Sequence, residues 1–293
     1  MWVILAIASA LLLGCYDIFK KMSVASNNVL AVLFWNTFFC ALLLSPFIVS
    51  DLATATPIFG GDPKAHLWIL LKSAIVLASW TLGYFSIKHL PLTISGPISA
   101  TRPVIVLVGA LLIFSENLNL LQGCGVALGF FSLFFISRLG KKESETPKAS
   151  MWLWMAVGAT VFGAISALYD KYLLRVYEPL QVQAWYSLYQ CVIMGAAIAV
   201  IRRFYAPARA VPFKWKWTIP CISLFLSAAD MAYFYALSDD GSMISVVSMI
   251  RRGSVIVSFA FGILALHERH IKAKLTDLVI LLIGLVLLVL GSH

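Results

Sequence analysis

The 293-residue chain is 61% hydrophobic and only 12% charged, with a formal net charge of +9. Soluble domains are about 45–50% apolar and about 25% charged, so this composition excludes a soluble globular protein and indicates an integral membrane protein. The basic residues lie mostly in short gaps between long apolar runs, which argues against a nucleic-acid partner, because such binding needs basic residues clustered on a water-facing surface.

Ten apolar runs are long enough to cross a bilayer. A membrane helix needs about 20 predominantly apolar residues, because each rises about 1.5 Å across a hydrocarbon core about 30 Å thick. The first run lacks the basic segment that precedes a cleaved signal sequence, so we interpret it as a membrane helix. The predicted spans are 2–20, 29–50, 66–87, 93–114, 118–138, 151–174, 180–201, 216–237, 243–265 and 275–291.

A polar stretch between the fifth and sixth spans divides the chain into two halves. It reads Gly140-Lys-Lys-Glu-Ser-Glu-Thr-Pro-Lys148 and is the most hydrophilic gap between spans. We therefore predict a first five-helix repeat over 1–139, a cytoplasmic linker over 140–150 and a second five-helix repeat over 151–293.

The distribution of Lys and Arg predicts the topology. Cytoplasmic loops hold the excess of these residues, and most of them follow the odd-numbered spans. The opposite side has only Lys64, Lys72, Lys171 and Arg175. We therefore expect the odd-numbered spans to end in the cytoplasm, with both termini outside. Because no transit peptide is evident, a bacterial plasma membrane is favoured.

The two halves also match each other in sequence. Tyr16-Asp17 matches Tyr169-Asp170, and the stretch 84–102 matches 234–252 at a constant offset of 150. Because each half has an odd number of spans, the second half must be inserted upside down relative to the first. Inverted repeats of this kind place a substrate site near the middle of the membrane, between the repeats.

This pattern resembles the drug/metabolite transporter superfamily, in its EamA-like branch. The resemblance is carried by Gly83-Tyr84-Phe85-Ser86-Ile87 at the end of the third span, by Arg102-Pro103 in the fourth, and by Glu116 and Glu268 in loops. It implies an all-helical bundle of two inverted five-helix repeats around a central cavity that opens alternately to each side. In this superfamily the substrates range from amino acids to sugars, nucleotide sugars and phosphate esters.

The chain departs from the common family pattern in its ninth span. Gly253 stands where relatives have proline, and the pair Arg251-Arg252 stands where many relatives are apolar. Phosphate translocators of the superfamily have a basic pair in roughly this helix. The resemblance therefore favours an anionic substrate.

Three arginines lie in the middle of predicted spans. Arginine costs about 2.5–3.5 kcal/mol there on insertion scales and usually faces a cavity or a partner. Helical spacing puts Arg102 on one face with Ser95 and Ser99, and the second half repeats this pattern. An internal ion pair with Asp17, Asp170 or Asp230 that only holds helices together is the alternative. The predicted substrate-binding residues are Arg102, Arg252, Arg251, Tyr84, Tyr235, Ser99 and Ser248.

Acidic residues within spans are candidates for coupling transport to a proton gradient. Asp230 has no basic neighbour in sequence and is the best candidate. Asp17 lies beside Lys20 and Lys21, and Asp170 beside Lys171, so local charge pairing is the favoured interpretation for these two residues.

No motif indicates an enzyme. The five cysteines lie in apolar runs without metal-ligand spacing, and His267-Glu268-Arg269-His270 has the wrong spacing for a zinc protease. We therefore predict no catalytic residue, no metal and no cofactor.

The functional prediction is a secondary transporter of a small polar metabolite, anionic or zwitterionic, acting as a monomer or homodimer. The open alternatives are an amino-acid, amine or drug exporter of the same fold, and a polytopic membrane enzyme or lipid-carrier flippase subunit.

Overall fold

A computed structural model describes residues 2–53, 63–106, 119–143, 149–174, 176–204, 212–237, 247, 250–264 and 271–290. Over these ranges the chain forms ten helices and no strand. The helices are α1 (Trp2–Val24), α2 (Val29–Ala53), α3 (Pro63–His89), α4 (Leu92–Ala100), α5 (Leu120–Glu143), α6 (Ala149–Leu173), α7 (Pro179–Phe204), α8 (Thr218–Leu237), α9 (Ser254–Leu264) and α10 (Ile271–Leu290).

Six helices in the described part of the chain are long and apolar enough to cross a membrane, namely α1, α2, α3, α6, α7 and α8. Each overlaps a predicted span. Helices α4 and α9 have only 9 and 11 residues, and parts of the predicted spans 93–114 and 243–265 lie outside the described residues. The prediction of an all-helical, multi-pass membrane protein is confirmed, and the crossings by the other four helices stay predictions.

Lysine side chains satisfy the carbonyl groups at the ends of α1 and α3. The last carbonyls of a helix lack a donor within the helix, and a cation there also interacts favourably with the helix dipole. Lys21 donates from Nζ to the carbonyl oxygens of Ile87 at 2.7 Å and Leu90 at 2.6 Å. Lys216 donates to the carbonyl oxygen of Met22 at 2.7 Å. These contacts tie the end of each helix to a different segment of the chain.

The main helix contacts join the two halves of the chain. Helix α1 packs on α8, α3 on α6, α2 on α7, and α5 on α10, while α4 contacts α9. The largest apolar cluster is formed by α1, α2, α3, α7 and α8, with Leu33, Tyr84 and Ile219 among its fully buried members. The centre of the bundle is therefore lined by helices from both halves.

Glycines allow α5 and α10 to approach closely. A Cβ atom at Gly284 in α10 would lie 3.2 Å from both the carbonyl oxygen of Gly125 and the Cβ of Leu128 in α5. Small residues at helix contacts are a common means of association within membranes. By contrast, a Cβ at Gly123 would meet nothing within 4 Å.

This contact predicts that Gly284→Leu lowers the free energy of unfolding in detergent by about 1–3 kcal/mol, the usual cost of overpacking a close contact. Gly123→Leu is the matched control, because it also replaces a glycine of this helix pair by leucine, but at a position where the added side chain meets no neighbouring atom. Equal unfolding free energies for the two variants would show that the α5–α10 contact is not as close as described.

Candidate functional site

A cavity of about 190 Å³ lies between α1, α3, α4, α6, α7, α8 and α9. One water molecule needs only about 10–15 Å³ by this kind of measure, so the space is sufficient for a small organic molecule. Its charged lining residues are Asp17, Lys20, Lys72, Arg102, Asp170, Asp230, Arg251 and Arg252.

A buried ion pair joins α3 to α6 at this cavity. The Lys72 ammonium contacts the Asp170 carboxylate, and the Lys72 side chain is only 2% exposed. The topology prediction counts Lys72 among the basic residues on the side opposite the cytoplasm, and this is wrong, because Lys72 lies buried well inside α3, which begins at Pro63. Its ammonium also lies 4.9 Å from the ring centroids of Tyr186 and Phe234.

A second ion pair joins Asp230 of α8 to Arg251. The Arg251 guanidinium contacts Oδ1 of Asp230, and the Tyr186 hydroxyl donates to Oδ2 at 3.1 Å. Arg251 also lies over the ring of Tyr233, with Cζ 4.1 Å from the centroid. Asp230 has no basic neighbour in sequence, yet both of its carboxylate oxygens have donors in space.

The third carboxylate, Asp17, pairs within its own helix. Lys20, one turn further along α1, donates to Oδ1 of Asp17 at 2.6 Å. The Lys20 ammonium also lies 4.3 Å from the ring centroid of Tyr16. Each of the three carboxylates at the cavity therefore has one basic partner.

Arg102 and Arg252 are the cavity's basic residues without such a partner. Neither forms an ion pair with any residue that the structure describes. In addition, Nε of Arg102 is buried and has no hydrogen-bond acceptor among the described residues. Arg252 is only 9% exposed. Arg251 lines the same cavity as these two arginines. The cavity lining therefore has more positive than negative charge.

Each unpaired arginine lies next to an interruption in its helix. Helix α4 ends at Ala100, and Arg102 opens the following helical turn; Pro103 supplies no backbone N–H donor there. Residues 250–252 are helical, Gly253 forms a turn, and α9 begins at Ser254. Discontinuous membrane helices often form substrate sites in transporters, so both arginines occupy positions suited to such a site.

Residues 1–138 match the EamA-like transporter family. Along most of its length the chain is also similar to an uncharacterized transporter of Archaeoglobus fulgidus, with 25% identity over 281 residues that cover 92% of this chain and 90% of the relative. The family match covers slightly less than half of the chain. Together with the similarity to a transporter along most of the chain, it supports a membrane transporter of the drug/metabolite type.

A solved structure supports the fold of this EamA-like transporter. A crystal structure of a protein with 12% sequence identity superimposes with a TM-score of 0.68, covering 99% of this chain and 97% of that chain. At this level of identity the likeness concerns the fold alone.

Most of the predicted site residues line the cavity of this EamA-like transporter. The structure brings together there Tyr84, Ser99, Arg102, Arg251 and Arg252, along with all three predicted aspartates. Ser248, like its neighbour Ser245, lies outside the described residues. Binding of substrate by the predicted binding residues, and coupling of transport to a proton gradient by the aspartates, stay predictions.

Tyr235 does not line the cavity in the structure. Its side chain is 44% exposed, whereas Tyr233 and Phe234 of the same helix face the cavity. Successive residues of a helix point about 100° apart, so Tyr235 points roughly 200° away from Tyr233. The repeat offset of 150 aligns Tyr84 with Phe234, not with Tyr235, and Phe234 is the residue that lines the cavity.

The buried pair predicts that Asp170→Asn lowers the free energy of unfolding by about 3–5 kcal/mol, because it leaves the Lys72 ammonium without a counter-charge. The double variant Lys72→Met/Asp170→Leu should recover most of this loss, since it removes both charges. Denaturation in detergent measures both effects.

Asp17→Asn is the comparison, because its partner Lys20 is 12% exposed whereas Lys72 is 2% exposed, so the ammonium left unpaired is less deeply buried and the loss should be smaller. Equal losses for Asp170→Asn and Asp17→Asn would contradict the buried ion pair.

Proposed function

We propose that this EamA-like protein is a secondary transporter of a small organic anion, whose charged group binds to Arg102 and Arg252. The observation that carries the proposal is that these two guanidinium groups line the cavity without a carboxylate partner among the described residues. Buried charge is costly unless it is paired. The bound anion supplies the missing negative charge.

The chemistry of arginine narrows the anionic group. A guanidinium presents planar pairs of N–H donors that match the two oxygens of a carboxylate or phosphate. Two such groups at one cavity favour an anion with several acceptor oxygens. The energy for transport comes from a proton gradient, from exchange or from the gradient of the solute itself.

The rival function, export of an amine, amino acid or drug, would use the acidic residues as the binding site. In the structure the carboxylates of Asp17, Asp170 and Asp230 are all engaged by basic side chains. A cationic substrate would first have to displace one of these partners, and the same holds for the ammonium end of a zwitterion. The charge distribution therefore favours an anion over both.

The arrangement of two inverted repeats is part of the proposal. In two equivalent repeats, each helix of the first half would correspond to the helix five places later, so α1 corresponds to α6 and α3 to α8. A twofold axis would then turn the contact of α1 with α8 into the contact of α6 with α3, and both contacts are present. The contacts α2–α7, α4–α9 and α5–α10 each join two corresponding helices, as expected for contacts on the axis. Such pairing supports a twofold relation between repeats over 1–139 and 151–293, which would rock around the anion to give alternating access.

We also propose that the transporter lies in a bacterial plasma membrane with both termini outside. The proposal is supported by the excess of Lys and Arg after odd-numbered spans. The structure groups Lys21, Lys88 and Lys216 around the ends of α1 and α3, where each donates to a backbone carbonyl. Assembly as a monomer or homodimer stays a prediction.

The proposal predicts that Arg102→Gln and Arg252→Gln each weaken binding of the transported anion about tenfold to a hundredfold, because a hydrogen bond to a charged group contributes about 1.5–3 kcal/mol. The measurement is uptake into proteoliposomes and calorimetric binding, with a panel of carboxylic acids and phosphate esters.

Arg138→Gln is the matched control, because Arg138 is exposed on α5, where its guanidinium lies 4.5 Å from the Phe134 ring centroid. The proposal is wrong if both cavity variants bind and transport anions as the wild type does. Binding of amines that is lost only in Asp230→Asn would favour the rival function.

A glycine in α6 provides the space for the Arg102 guanidinium. A Cβ atom at Gly163 would lie 2.6 Å from Nε of Arg102. Because the group that would have to move is the end of a flexible side chain, the helix itself need not shift. The glycine therefore affects the position of the guanidinium more than the fold.

This geometry predicts that Gly163→Ala weakens anion binding about tenfold, the loss of roughly one charge-assisted hydrogen bond, while the melting temperature stays near that of the wild type. Gly195→Ala is the control, because its Cβ would lie 3.5 Å from Phe34 in ordinary contact. Wild-type affinity in Gly163→Ala would show that the position of Arg102 does not matter for binding.

A further inference from the structure

We propose that the cavity has a second, uncharged subsite, formed by the hydroxyl groups of Tyr84, Ser86 and Ser95, which binds hydroxyl or carbonyl groups on the carbon chain of the anion. The inference rests on the proposed function and narrows its substrate class to hydroxylated organic anions, such as sugar-derived or hydroxy acids and their phosphate counterparts.

All three hydroxyl groups are buried, and those of Ser86 and Ser95 have no hydrogen-bond partner among the described residues. The Tyr84 hydroxyl has only the Tyr16 side chain beside it, so it can still bond to a ligand. Tyr84 is only 1% exposed and Ser86 only 2%, and all three side chains line the cavity. Buried polar side-chain atoms in proteins almost always have a partner, and those without one need an explanation. A ligand in the cavity would provide the missing partners.

Other hydroxyl groups at the same cavity are satisfied within the protein. Ser99 donates to the carbonyl oxygen of Gly96 at 2.8 Å, and Ser258 to that of Ser254 at 2.9 Å. Ser79 donates across to the carbonyl oxygen of Ala159 at 2.7 Å. Serine in a helix can readily bond in this way to a carbonyl of the preceding turn. The hydroxyls of Ser86 and Ser95 therefore differ from those of Ser79, Ser99 and Ser258 at the same cavity.

The surroundings of these hydroxyls suit a neutral, hydrogen-bonding group. Lys20, whose ammonium lies 5.6 Å from the ring centroid of Tyr84, is already paired with Asp17. A hydroxyl group can both donate and accept, so it can bind either an alcohol or a carbonyl oxygen. A purely hydrocarbon chain would leave the hydroxyls of Ser86 and Ser95 without a partner.

The spacing along the chain places the subsite within reach of the arginines. Ser95 and Arg102 lie on one face of the helix that begins as α4, and seven residues at about 1.5 Å each separate them by about 10 Å along its axis. The arginine side chain covers part of that distance. A short hydroxylated chain with a charged end can therefore contact both subsites within the cavity of about 190 Å³.

Matched pairs of anions test the inference in protein reconstituted in nanodiscs. Calorimetry would compare glycerate with propanoate, gluconate with hexanoate, and glycerol phosphate with propyl phosphate. We expect the hydroxylated member of at least one pair to bind about tenfold more tightly, roughly the contribution of one or two hydrogen bonds. The carboxylate and phosphate pairs identify which charged group is preferred.

Variants assign that preference to the subsite. Tyr84→Phe, Ser86→Ala and Ser95→Ala should each reduce the ratio of the two affinities, and the triple variant should bring it close to one. Ser258→Ala is the control and should keep the ratio, because the Ser258 hydroxyl is already bonded to its own helix.

Each outcome separates the two proposals. If hydroxylated and unhydroxylated anions bind equally to the wild type, or if the variants keep the preference, the subsite is wrong and the anion site stands. If no anion of any pair binds to the wild type, both the subsite and the proposed function are wrong.

Discussion

Charge inside a membrane protein has to be neutralised or placed where water and ligands can reach it. This constraint organises the cavity of the EamA-like transporter. Lys72 and Arg251 are buried against the carboxylates of Asp170 and Asp230, which keeps both acids from serving as free cation sites. The same constraint leaves Arg102 and Arg252 without a counter-charge among the described residues, and in the proposed function a transported anion supplies it.

The helix packing brings these groups together from distant parts of the sequence. The ion pair of Lys72 with Asp170 joins α3 to α6, and the segment containing Arg251 contacts α8 through Asp230. Gly163 of α6 makes room for a guanidinium that belongs to the other half of the chain. The cavity is thus formed at the contact between the halves, and relative movement of the halves would change the environment of a bound molecule directly.

Sequence alone predicted the helices and part of the site, because hydropathy and helical periodicity are local properties. The face shared by Ser95, Ser99 and Arg102 was visible in this way, and all three residues line the cavity. An ion pair between a membrane arginine and Asp230 was an open alternative from sequence, but the choice of Arg251 and the contact of Tyr186 depend on packing. Lys72 was assigned to the wrong environment because its charge was interpreted as a topology signal.

The most direct test of the account is the location of an anion in the cavity. Crystals soaked in selenate, an anomalously scattering oxyanion, would reveal its position without knowledge of the substrate. The account predicts an anomalous peak for selenium between Arg102 and Arg252, with selenate oxygens about 2.7–2.9 Å, the length of a charge-assisted hydrogen bond, from their guanidinium nitrogens. No peak, with both guanidinium groups bonded to protein carboxylates in a closed, dry space, would contradict it.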